Sequence, residues 1–62
     1  MILQIYNDVF INTDQVNYIA AFTDIADNKE KLYIQFINKS SINVPITMEE
    51  FIKVLKEGHT II

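Results

Sequence analysis

At 62 residues the chain is long enough for one domain only, and a domain of about 60 residues withdraws only about 60% of its unfolded surface from water, so its stability margin is small. Half of the residues are hydrophobic, but there is no cysteine and a single histidine, His59, so neither a disulfide nor a Cys/His metal clip supplements the apolar core. The acidic residues outnumber the lysines by 8 to 5, arginine is absent and the net charge is -3, which argues against nucleic acid or an anionic membrane as partner, because phosphate recognition wants a clustered positive field and guanidinium forks.

In chain order, the first apolar run covers residues 2–6 and ends at Asn7-Asp8, whose short side chains bond nearby backbone and tolerate unusual dihedrals. Val9, Phe10 and Ile11 predict a short second strand, and Asn12-Thr13-Asp14 a polar corner. The long run 16–25 carries apolar groups in both phases, Val16, Tyr18, Ala20 and Phe22 in one and Ile19, Ala21 and Ile25 in the other, which predicts a bent or bulged strand. Residues 27–30 are polar and lead into a cleaner alternation over 31–37, with Leu32, Ile34 and Phe36 on one side and Lys31, Tyr33 and Gln35 on the other, so a hairpin is predicted here. A polar turn at 38–41 opens a last strand over 42–46 with Ile42, Val44 and Ile46 pointing inward; Pro45 has no ladder donor, which places this run at a sheet edge or the proline at its end.

Thr47-Met48-Glu49-Glu50 is a capping box, in which the Thr47 hydroxyl accepts from the Glu50 backbone and the Glu50 carboxylate reaches back to Thr47. Ile46 and Phe51 form the matching hydrophobic staple, and Met48, Phe51, Ile52 and Leu55 fall at the spacing of one buried helix face. Gly58 stops the helix as a left-handed cap. Residues 59–62 end in two isoleucines and either return as a strand or form an exposed apolar end. The predicted fold class is α+β, a single domain over residues 1–62 with a small twisted or barrel-like antiparallel sheet of four to five strands followed by one C-terminal helix.

This architecture leaves a surplus of apolar sheet. A helix of about 11 residues is roughly 16 Å long and about 10 Å wide, whereas five strands span about 19 Å across the ladder. Ile19, Ala21, Ile25, Tyr33 and Ile37 occupy the phase opposite the predicted core, so their surface must be hidden elsewhere. Two solutions present themselves: a sheet curled into a small barrel, or a protein partner, of which a second copy of the chain is the commonest. The candidate protein-binding residues are therefore Ile19, Ala21, Ile25, Tyr33, Gln35 and Ile37.

Catalysis requires a nucleophile beside a base, paired carboxylates in a cleft or a metal with an open position, and none of these is legible. His59 sits beside the helix stop, where contact with the last carbonyls accounts for it. Asp24, Asp27 and Glu30 lack the alternating spacing and the glycine of a calcium loop and read as a solvated hairpin tip. Tyr6, Tyr18 and Tyr33 lack the basic groove that accompanies base-stacking platforms. The reading is non-enzymatic, without cofactor or metal. No apolar run approaches the roughly 20 residues of a membrane span, and the N-terminus lacks a signal-peptide pattern, so a cytoplasmic location is expected. Ile, Asn and Lys supply 12, 6 and 5 residues, the amino acids of A/T-rich codons, which points to a low-GC bacterium or its phage.

The run Phe10-Ile11-Asn12-Thr13-Asp14-Gln15-Val16-Asn17-Tyr18-Ile19 resembles the early segment of the flagellar FlbD-like small proteins, in which an aromatic, an apolar residue and Asn precede two Ile-type positions three apart. The later order, with a turn opened by Asn38 and an acidic helix start at Glu49-Glu50, is similar as well. Asp8 and Lys39 depart from it where the family has glycine, as do Asn17 and Ala20 where it favours glutamate. The resemblance implies the same α+β fold and no catalytic residues. The functional expectation is a non-catalytic protein-interaction module, self-associating as a homodimer; the alternative is a phage- or plasmid-encoded inhibitor that blocks a host defence enzyme.

Overall fold

Short β-branched and aromatic runs separated by Asn, Asp and Ser set the strand lengths. Among residues 1–58, which the computed structural model of the chain describes, the order is β1 (Ile2–Tyr6), β2 (Val9–Asn12), a turn of 3-10 helix (Thr13–Gln15), β3 (Val16–Asp24), β4 (Lys29–Phe36), β5 (Ser41–Val44) and α1 (Met48–Glu57). Each turn between paired strands uses a positive φ, at Asn7 (41°), Asn28 (57°) and Lys39 (73°). The asparagines adopt it readily. Lys39 is held there by its N–H, which donates to the Phe36 carbonyl at 2.9 Å, and by Asn38, whose Oδ1 accepts from the Ser40 N–H at 2.9 Å.

All the pairings are antiparallel, but they make two sheets, a β1–β2 ribbon and a meander in the order β3-β4-β5. The barrel-like alternative is not what forms. The 3-10 turn, capped by Asn12 Oδ1 accepting from the Asp14 N–H at 3.1 Å, takes the chain out of the ribbon before β3 begins. Leu3, Ile5 and Ile11 of the ribbon, Leu32, Ile34 and Val44 of the meander, and Ile46, Phe51 and Val54 form one buried cluster. Ribbon and helix thus share one face of the meander. The Cα extents of 32 × 30 × 18 Å fit two layers, since packed sheets lie about 10 Å apart. The five strands are therefore not one sheet with a single helix for cover, as the sequence predicted; the ribbon is itself part of the cover.

The helix begins where the capping box places it. The Glu50 N–H donates to Thr47 Oγ1 at 3.1 Å and the Thr47 N–H donates to Glu50 Oε1 at 2.9 Å. A second carboxylate oxygen comes from the sheet: the Met48 N–H donates to Glu30 Oε2 at 2.8 Å, which ties the positive end of the helix dipole to β4. The stapling pair Ile46 and Phe51 is buried, and Gly58 ends the helix at φ 78° with its N–H donating to the Val54 carbonyl at 2.7 Å. The buried stripe is Phe51 and Val54, with Met48 partly covered; Ile52 and Leu55, expected in the core, are 44% and 43% exposed. The short helix leans on β1 along a narrow line, so only the 48-51-54 row faces inward. His59 and the two readings of residues 59–62 lie outside the described residues.

Two substitutions test this packing in urea melts. Thr47→Ala removes the hydroxyl of the cap and should lower stability by about 1 kcal/mol. Ile19→Asp, on the face that packs against the core, should lower it by about 2 kcal/mol or more, and an unchanged midpoint for this variant would contradict the register given below.

Candidate protein-binding surface

Directly opposed residues of an antiparallel pair project to the same side, so the register decides which residues share each face of the meander. Leu32 and Ile34, both fully buried, define the inner face. Opposite them on β3 stand Ala21 and Ile19, and on β5 Val44 and Ile42. The outer face holds Tyr18, Ala20 and Phe22 of β3 opposite Gln35, Tyr33 and Lys31 of β4, with Asn43 and Ser41 of β5 beyond.

This reverses the sequence phase for β3. Val16 pairs with Phe36 and packs against the core, and the register then shifts so that Tyr18 pairs with Gln35. Asn17 is the extra residue of a bulge, which moves every later residue of the strand to the other side. Its amide Nδ2 donates to Gln35 Oε1 at 2.8 Å, a bond across the face that the bulge creates. The strand is bulged as predicted, but Tyr18, Ala20 and Phe22 are the outward set, and Ile19 and Ala21 the inward one.

Of the six candidate residues, the structure therefore brings only Tyr33 and Gln35 together on the outer face. Ile19 packs against the core, and Ala21 lies on that same inner side though exposed at the sheet margin. Ile25 projects from the β3–β4 turn at 98% exposure, and Ile37, 58% exposed, follows the end of β4. The residues that sequence reasoning missed are Tyr18, Ala20 and Phe22. Fitting β3 against the unambiguous alternation of β4, rather than reading β3 by itself, is the signal that finds them.

The outer face is aromatic at its centre. The Tyr18 and Tyr33 rings lie 5.7 Å apart at an interplanar angle of 46°, within the range of favourable tilted pairs. Tyr18 is nevertheless 48% exposed. The desolvation its ring suffers beside its neighbours, and then the adjacent Tyr33 hydroxyl, raise the Tyr18 hydroxyl above its ordinary range, so its phenol is neutral at physiological pH. Chemically the pair offers apolar area with two hydroxyl hydrogen-bonding groups, the makeup of a protein contact.

Charge is confined to the turn end of this face. Lys31 Nζ donates to Asp24 Oδ2 at 2.7 Å and lies 3.0 Å from Asp27 Oδ2. The other oxygens of the two carboxylates accept from the backbone of the turn, Asp24 Oδ1 from the Ala26 N–H at 2.9 Å and Asp27 Oδ1 from the Lys29 N–H at 3.1 Å. With Glu30 committed to the helix N-terminus, the acidic tip is a fastener for the hairpin, and among the described residues no group of three or more potential metal ligands assembles.

No protein-family model matches the chain, and neither the curated proteins nor the solved structures contain a match to it.

The fastener has a pH signature. Hydrogen bonds from Lys31, then the turn amides, hold Asp24 and Asp27 below the ordinary carboxylate range, and the two carboxylates hold Lys31 above its own. The carboxylate contribution is therefore complete above the unfolded carboxylate pKa of about 4 and is lost as pH falls through the lowered values; the Lys31 contribution is complete below about 10.4 and is lost as pH rises through its raised value. Lys31→Met should flatten both limbs of a urea-midpoint against pH profile, and a profile parallel to that of the unaltered chain would show that the fastener contributes nothing.

Proposed function

We propose that the chain is a non-catalytic protein-interaction module of the cytoplasm that associates first with itself, with the β3–β4 part of the meander's outer face in the contact. The observation that carries this reading is the placement of Tyr18, Ala20, Phe22 and Tyr33 on a sheet face over which no element of the described chain lies. Apolar surface of this kind rimmed by polar groups, here Gln35 and the Lys31 cluster, marks interfaces on small soluble domains. Both tyrosines present rigid rings that lose little side-chain entropy on contact, and Lys31 of the same face is already paired with Asp24 and Asp27. The resemblance to the FlbD-like small proteins, which brings no catalytic residues, is in keeping with a binding role. So is the occupation of Asp24, Asp27 and Glu30 by structural contacts rather than by a cleft.

The test is sedimentation equilibrium on Tyr33→Ala. Removing the ring should weaken self-association about two- to twelvefold, the equivalent of the roughly 0.5–1.5 kcal/mol of an aromatic contact, while circular dichroism remains that of the unaltered chain. A folded variant with an unchanged association constant would remove the outer face from the contact.

A further inference from the structure

The two edges of the meander are guarded very differently. An unpaired strand edge presents a row of N–H and C=O groups that can add another strand, and natural sheets blunt such edges by brevity, proline, lysine or a bulge. β5 has four residues and is followed directly by Pro45. β3 has nine, pairs with β4 on one side only, and among the described residues has no strand on the other. Its stretch from Tyr18 to Thr23 holds no charge, no proline and no glycine, the composition of a segment prone to strand addition. The bulge at Asn17 lies near the start of the strand and leaves the remainder in regular register with β4.

We infer that β3 pairs with β3 of a second copy of this chain, antiparallel about a twofold axis through Ala20, so that two meanders become one continuous sheet. The inference rests on the self-association proposed above and specifies its contact. The sequence of the strand selects both occupant and register. A twofold axis that generates an antiparallel edge pair stands perpendicular to the sheet and passes between two copies of the same residue, so it keeps the helix-bearing sides of the two copies together. Ala20 is the middle of Val16–Asp24, and an axis there pairs the regular stretch from Tyr18 to Phe22 that follows the bulge. On the outer face it sets Tyr18 opposite Phe22 of the second copy, a cross-strand aromatic pair made twice by symmetry. On the inner face it sets Ile19 opposite Ala21 of the second copy. The only charge on the strand, Asp24, falls at opposite ends of the pair, beyond the Tyr18–Phe22 stretch, and Lys31 of its own chain already neutralises it at 2.7 Å. Moving the axis to Ala21 sets Tyr18 opposite Asp24 and loses the aromatic pairs. Because each copy carries a net charge of -3, association in this register strengthens as salt screens the long-range repulsion.

Sedimentation equilibrium on charged variants at the axis tests the contact. Ala20→Lys and Ala20→Glu lie on the solvent-facing side of the sheet and should each remain folded yet dimerise at least about tenfold more weakly than the unaltered chain, because like charges stand directly opposite; mixing the two in equal amounts should restore the dimer. Asn43→Lys, on the same outer face but on the far strand, should leave the constant unchanged. A chain that is monomeric throughout overturns both this inference and the self-association on which it rests. Unaltered dimerisation of both Ala20 variants overturns the edge contact alone, as does loss of the dimer in Asn43→Lys without restoration in the mixture, which leaves face-to-face association standing. If either charged variant fails to fold, Ala20→Cys replaces it. In this cysteine-free chain a symmetric pair at the axis has Cα atoms about 4.5–5.5 Å apart, within disulfide range, so mild oxidation should yield a covalent dimer. Failure to cross-link, with Asn43→Cys cross-linking instead, overturns the edge contact.

Discussion

The double pairing of β4 is the constraint on which the rest of the molecule depends. Leu32 and Ile34 are completely buried, and their partners on either side, Ala21 and Ile19 on β3 and Val44 and Ile42 on β5, inherit the same side of the sheet from them. Because side chains alternate with a period of two, that single choice sends Tyr33, Gln35 and Lys31 outward and carries Tyr18, Ala20 and Phe22 with them. Glu30, in the inward phase of the same strand, reaches the first amide of the helix, so β4 also sets where the helix N-terminus lies. The hairpin turn, the helix start and the two faces of the meander are consequences of one strand's register.

From that register follows a division of apolar material. The inner face is shielded by the β1–β2 ribbon and by Phe51 and Val54 of the helix, and this two-layer arrangement uses up the elements available among the described residues. Among the described residues no third layer lies over the aromatic strip on the other side. On the outer side of the meander stand a ring pair, a phenylalanine and a long, unguarded strand edge, and all three lie on β3 or beside it. Sheet pairing and aromatic contact therefore converge on one margin of the molecule. That convergence is the physical case for association, and it is independent of any catalytic group: the carboxylates that could have formed a site are held by Lys31 and by helix and turn amides.

Much of this organisation was legible in the sequence, and the parts that were not share a cause. The turns at Asn7, Asn28 and Asn38-Lys39, the capping box at Thr47, the Ile46–Phe51 staple and the stop at Gly58 are local devices, decided by a few adjacent residues, and each appears where the residues predict it. The phase of β3 is not local. Its residues 16–25 are apolar in both phases, so only pairing with β4 distinguishes inside from outside, and the bulge at Asn17 inverts the assignment that a continuous alternation from Val16 suggests. Ile19 and Ala21 consequently moved from the candidate surface to the inner side, whereas Tyr33 and Gln35, on the strand with an unambiguous pattern, stand on the outer face. The helix shows the same lesson on a smaller scale. Met48, Phe51, Ile52 and Leu55 are spaced for a broad face, but contact along one line with β1 buries Val54 in place of Ile52 and Leu55. The splitting of the strands into two sheets likewise depended on how the Thr13–Gln15 turn redirects the chain, which strand composition does not encode.

The central claim is that the free margin of β3 is covered by another molecule of the same kind. Amide hydrogen exchange followed residue by residue over a dilution series addresses it most directly, because strand pairing protects those amides only while two copies are together. The account predicts that alternate amides along β3 exchange slowly in concentrated solution and become fast on dilution, while the amides of β4, paired within the chain on both sides, exchange at the same rate throughout. β3 amides whose exchange is independent of concentration, whether uniformly fast or uniformly protected, would contradict it.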